Sequence, residues 1–110
     1  MLLPRFVALV TGLGLTSLAC AAPTHYPLTV ENCGSTLTFA HAPARAVTIG
    51  QAGTEMLFAL GLGDKLVGTS LWFNDVLAQY KAQNDRIERL ADNEPSFESV
   101  IGKRPGLVAV

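Results

Sequence analysis

The side chains able to do chemistry in this chain are few, and most stand alone. His25 and His41 are its only histidines, and neither His-x-x-x-His nor Cys-x-x-Cys spacing occurs, so no metal-binding set is in view. No Gly-x-Ser-x-Gly elbow is present to expose a serine nucleophile. These gaps argue against an enzyme and leave binding as the chemistry to look for. Gly50-Gln51-Ala52-Gly53-Thr54 is a polar, glycine-containing loop ahead of an apolar helical stretch. There, backbone N–H groups and the positive end of a helix can meet an anion, or the glycines simply permit a tight turn. The loop has neither the Gly-x-Gly-x-x-Gly pattern nor a P-loop, so a nucleotide is not expected. The sole tryptophan, Trp72, stands beside Phe73 in a second polar loop, where the pair either walls a flat ligand or packs beneath the loop.

These loops are read as the exits of strands. Leu28, Val30, Leu37 and Phe39 alternate with polar residues around Asn32-Cys33-Gly34-Ser35, which predicts a hairpin with one apolar face. Ala46-Val47-Thr48-Ile49 reads as a buried strand of the parallel kind. A helix then carries Met56, Leu57 and Leu60 on one face and ends at Gly61. Leu66-Val67-Gly68-Thr69 is the next strand. Asn74 is expected to cap a helix through Val76, Leu77 and Tyr80, and 86–90 to connect onward with a short strand. Ser96 caps a last helix with Phe97, Val100 and Ile101 facing a core, and 107–110 is a buried strand. The fold class expected is therefore α/β: a doubly wound layer with a parallel sheet, preceded by a β-hairpin. In such a sheet ligands bind beyond the carboxyl ends of the strands.

The chain has 110 residues, 49% hydrophobic and 15% charged, with a formal charge of -1. That composition is globular, and near-neutrality gives no electrostatic case for nucleic acid or an anionic membrane. Residues 1–21 read as a signal peptide: Arg5, an apolar run over 6–18, and the small residues Ala19-Cys20-Ala21-Ala22. The run is short against the roughly twenty residues of a membrane span. Cleavage after Ala21 gives a periplasmic, soluble product; acylation of Cys20, in the looser lipobox reading, gives a lipid anchor. Cys33 is then the other thiol, either buried or paired elsewhere, and a thiol function at Cys33 has no second nearby cysteine to support it. Because a domain does not normally end on an apolar strand with nothing to cover it, residues 22–110 are expected to be the N-terminal, incomplete portion of a larger lobe.

Several stretches together resemble a known family. They are Thr29-Val30-Glu31-Asn32-Cys33-Gly34, Pro43-x-Arg45-Ala46-Val47, the block from Thr54-Glu55 to Leu60-Gly61-Leu62-Gly63-Asp64 with Val67-Gly68 after it, and Pro105-x-Leu107-Val108. The sequence resembles the N-terminal lobe of periplasmic substrate-binding proteins of ABC importers, in the subgroup that takes up ferric siderophores, cobalamin and haem. The resemblance implies two Rossmann-like lobes joined by a long helix, with the ligand held between them. It implies no intrinsic cofactor, since a ferric chelate brings its own iron ligands, and an inner-membrane ABC permease as partner. It places Gln51, Ala52 and Gly53 on a loop bordering the ligand cleft, Trp72 on the cleft wall, and Asp92 or Asn93 near a second cleft-lining position. Glu98 corresponds to a glutamate that docks onto permease arginines, and Glu55 to a helix-start acid with a structural role. Gly106 departs from the family's usual acidic residue after the proline. An exported half-lobe without transport activity, or one acting only as an interaction module, is the alternative.

Overall fold

The computed structural model describes residues 20–110. The expected leader therefore lies outside the described residues except for Cys20 and Ala21, and Cys20 and Cys33 are both free and exposed. Strands β1 (Leu28–Asn32) and β2 (Ser35–Phe39) form an antiparallel hairpin. Cys33 and Gly34 turn it with φ of 49° and 77°, the positive values that a two-residue loop needs to match strand twist. Thr29 faces Thr38 with hydroxyls 3.1 Å apart, and Thr36 Oγ1 donates to Glu31 Oε1 at 2.6 Å. Leu28 lies opposite Phe39 and Val30 opposite Leu37, so the alternation in sequence becomes one polar and one apolar face.

Beyond Arg45 the chain alternates strand and helix. Strands β3 (Ala46–Ile49), β4 (Leu66–Ser70), β5 (Arg89–Ala91) and β6 (Leu107–Ala109) build one sheet, all parallel, in the order β5-β4-β3-β6. The chain thus steps outward through β4 to β5, then crosses back to lay β6 on the other side of β3. That reversal opens a crevice at the carboxyl ends of the strands, the usual ligand position in open α/β sheets. The expected partial Rossmann-like lobe behind a β-hairpin is what the chain forms.

The helices differ from expectation in informative ways. Helix α1 (Gln51–Ala59) ends as expected: Gly61 adopts φ 72°, its N–H reaches Phe58 O at 3.0 Å, and Leu62 N–H reaches Leu57 O at 2.8 Å, a complete Schellman stop. Its inward face, however, is Thr54 and Phe58, while Met56 and Leu60 remain 62% and 65% exposed. The carboxyl half of the sheet is polar, so Thr54 meets Thr48 there, and Phe58 joins Ala46 and Leu66 in the core with Leu57, Val76, Tyr80 and Ile87 at its margin. Apolar periodicity misses this face because it counts threonine as outward-facing.

Asn74 caps nothing. Residues 71–77 are not helical; a 3-10 turn at Ala78–Tyr80 leads into α2 (Lys81–Asn84). The N–H groups of Phe73, Asn74 and Leu77 are held by α1 side chains, which pin this segment against α1 along a non-helical path. Helix α3 (Phe97–Gly102) is capped by Ser96, whose Oγ accepts the Ser99 N–H at 3.2 Å. Its C-cap carbonyl is held from outside: Arg45 donates Nε and Nη2 to Lys103 O at 3.0 and 2.6 Å. Only Val100 turns partly inward; Phe97 is 72% exposed and Ile101 is exposed as well. Strand β6 is found where expected, but as an edge strand with Leu107 and Val108 still exposed rather than buried.

Candidate functional site

At the β3 exit, Gly50 takes φ 126° and ψ 135°, a conformation essentially closed to residues with a side chain. Its N–H reaches Ser70 O at 3.0 Å, tying the end of β3 to the end of β4. Its carbonyl accepts both the N–H and the hydroxyl of Thr54, at 3.2 and 3.0 Å. Since the Thr54 proton is spent on Gly50, Thr48 is the donor in the 2.7 Å contact between the two hydroxyls. Thr48, Thr54 and Ser70 are buried and Gly50 half-buried, and the bonds among them make the β3–α1 corner stiff.

The β4 exit is fastened to the β5 exit. Leu71, with φ 60°, turns the chain; its N–H reaches Asn93 O at 3.1 Å and that of Trp72 reaches Asp92 O at 3.0 Å. The Trp72 indole N–H donates to buried Thr69 Oγ1 at 3.2 Å, leaving the residue 9% exposed. The Arg89 guanidinium lies over the ring, 5.5 Å from its centroid, and Arg89 Nε meets Asp92 Oδ1 at 3.2 Å. A cation over an indole face is attracted by the ring's quadrupole. Gln51 completes the rim: its Oε1 accepts Asn74 N–H at 3.1 Å, and its Nε2 donates to Glu55 Oε1 and Asp75 O, each at 3.2 Å. Glu55 Oε1 also accepts Leu77 N–H at 3.1 Å.

The fold thus brings Gln51, Ala52, Gly53, Trp72 and Asp92 together on the carboxyl edge of the sheet. Ala52 and Asp92 are exposed, Gly53 has open space where a Cβ would stand, and the Gln51 amide is engaged with the neighbouring loop. Glu98 is exposed in the first turn of α3. Beside Trp72 lies an open hollow of about 910 Å³, bordered among others by Phe73, Asp75, Lys81, Asn84 and Arg89. Lys81 Nζ contacts Asp85 Oδ2 at 2.8 Å, and that hydrogen bond with its charge raises the lysine above its ordinary range. Sequence reasoning does not single out Arg89, Lys81 or Asn84. Arg89 gains its place only through the register that sets it beside Thr69 on β4, and no spacing in the chain announces that pairing.

Among the described residues there is no group of three or more His, Cys, Asp or Glu that could hold a metal ion. Nor, among them, is any helix long and apolar enough to cross a membrane.

Residues 47–110, the whole parallel sheet but for its first residue, match the family model described as periplasmic binding protein. Over 84 residues the chain is 32% identical to an uncharacterized ABC transporter substrate-binding lipoprotein, YvrC, of Bacillus subtilis (strain 168), covering 76% of this chain and 25% of that protein. A periplasmic binding protein structure from Veillonella parvula dsm 2008 superposes with a TM-score of 0.63 at 31% identity, over 74% of this chain and 28% of its own. An ABC-type Fe3+-hydroxamate transport system structure from Saccharomonospora viridis DSM 43017 does so with a TM-score of 0.67 at 30% identity, over 76% and 32%. The chain spans about a quarter to a third of the length of these relatives. By sequence across the sheet and by the course of its backbone, it belongs to the periplasmic binding protein family.

Proposed function

We propose that this chain is part of the substrate-binding component of an ABC importer, which captures a ferric siderophore or a related chelate or cofactor, such as cobalamin or haem, and delivers it to an inner-membrane permease. The observation that carries the reading is the rim itself. Three strand exits are fastened to one another by backbone and Gln51 hydrogen bonds, and they carry Trp72, Arg89 and Asp92 beside an open hollow. A stiff rim with apolar and charged groups suits recognition of a ligand surface, with the iron ligands supplied by the chelate rather than by the protein. The Fe3+-hydroxamate description of the Saccharomonospora viridis relative supports iron chelates as the class. Residues 1–21 direct export to the periplasm, and acylation at Cys20, which is exposed, is the alternative mode of retention; the lipoprotein description of the Bacillus subtilis relative supports a site of action outside the cytoplasm.

Titration calorimetry of the complete protein, as its host makes it, tests the reading. Saturable binding of ferrichrome, ferric citrate, haem or cyanocobalamin is expected, with quenching of Trp72 fluorescence that follows occupancy; no binding of any of them contradicts it. Docking is the second half of the proposal and rests on Glu98, an exposed acid in a helix's first turn, where the helix dipole stabilises its charge. Glu98→Lys is expected to abolish or strongly impair uptake in cells while leaving chelate affinity within about twofold, a surface substitution having little reach into the fold. Unaltered uptake removes the docking role.

A further inference from the structure

Trp72 is the residue that sequence singles out for ligand contact, yet its chemistry is largely spent. Its indole N–H is bonded to Thr69, it is 9% exposed, and the Arg89 guanidinium covers its face. A ligand arriving at this part of the rim meets Arg89 first. The arginine is half exposed, and among the described residues its one recorded polar partner is Asp92, through Nε. Both terminal nitrogens are left for something else, and the guanidinium carbon stands over the ring, 5.5 Å from its centroid. A flat guanidinium with free terminal N–H groups fits the two oxygens of a carboxylate-like anion, a match that lysine's point charge does not reproduce.

Asp92 sets the terms of the exchange. Its side chain is 84% exposed, so its bond to Arg89 is a surface ion pair of small worth, easily given up to a better-placed anion. The other charges on the hollow limit the ligand further. Lys81 and Asp85 are paired, and Asp75 adds an acid to the border, so the hollow suits one oxyanionic group and not a dense polyanion.

We propose that Arg89, stacked on Trp72 and held by Asp92, determines ligand specificity by selecting chelates that bear a single carboxylate-like group. This rests on the chelate-binding function proposed above and names the chemical class within it. Two ferric probes that differ by one carboxylate separate the ideas: N-acetylferrioxamine B, which is neutral, and N-succinylferrioxamine B, which carries one terminal carboxylate.

In the complete protein, the succinylated probe is expected to bind roughly ten- to hundredfold more tightly, the usual range for a charged hydrogen-bonded pair. Arg89→Gln is expected to erase that preference, bringing the two probes to equal affinity. Arg89→Lys should keep part of it, and Asp92→Asn should widen it by removing the competing carboxylate. Thermal unfolding of each variant checks the fold, and if Arg89→Gln does not fold, the opposite shifts in Arg89→Lys and Asp92→Asn carry the test. Equal affinity for both probes, or a preference that survives Arg89→Gln, overturns the inference and leaves the chelate-binding function standing. Failure of both probes to bind the unsubstituted protein overturns the inference, and the chelate-binding function falls with it only if ferrichrome, ferric citrate, haem and cyanocobalamin also fail to bind.

Discussion

Thr54 shows how single side chains set this site. It is fully buried, donates to the Gly50 carbonyl and accepts from Thr48, so one hydroxyl fixes both the helix start and the strand exit. Thr54→Val keeps the shape and removes both bonds, leaving the Thr48 hydroxyl buried without an acceptor. A loss of about 1–3 kcal/mol is expected, read as a lower denaturant midpoint. Adding Thr48→Val should recover part of the loss, because two apolar partners of the same shape are nearly neutral. Additive losses in the double variant, or no loss in the single one, contradict this account. At this scale sequence is an uneven guide. Trp72 draws attention by type alone, and Gly50 by its place after an apolar run. Arg89 does not, because its significance comes from lying over a ring seventeen positions earlier, across a strand pairing that no local pattern encodes.

At the scale of elements, what holds the rim together is the traffic between α1 and the segment after β4. Gln51 and Glu55 accept the N–H groups of Phe73, Asn74 and Leu77 and so pin 71–77 against α1. Gln51→Leu is expected to speed hydrogen exchange at the Asn74 amide, and less at Phe73 where the contact is 3.4 Å. Amides within β3 and β4 should be nearly unaffected, since local opening need not involve the global core. Uniform acceleration across the sheet contradicts a local clamp. The order of strands and helices is legible in the sequence, whereas the path of 71–77, fixed by this clamp, is not. Strand runs such as Ala46–Ile49, the hairpin turn at Cys33-Gly34, the Gly61 stop and the Ser96 cap are written in residues that interact locally. The 71–77 segment is decided by partners more than twenty positions away. The buried face of α1 departs from its apolar pattern for a related reason: its threonine faces a polar patch of sheet that only the assembled β3 and β4 provide.

For the whole molecule, topology carries the functional argument. The sheet order β5-β4-β3-β6 gathers loops that are distant in sequence onto one edge, and the family to which the chain belongs uses a fold of this kind for binding. The hairpin β1–β2 forms a separate two-stranded sheet. What is proposed is therefore a place: binding of a ferric chelate at the carboxyl edge of the parallel sheet. Paramagnetic broadening of backbone amide signals tests it most directly, comparing ferric N-succinylferrioxamine B with its diamagnetic gallium counterpart on the complete protein. The account predicts that broadening centres on 51–53, 72–74 and 92–93 and spares the hairpin turn at 32–35. Broadening centred on the hairpin or on α3, or none within residues 20–110 at saturation, would contradict it.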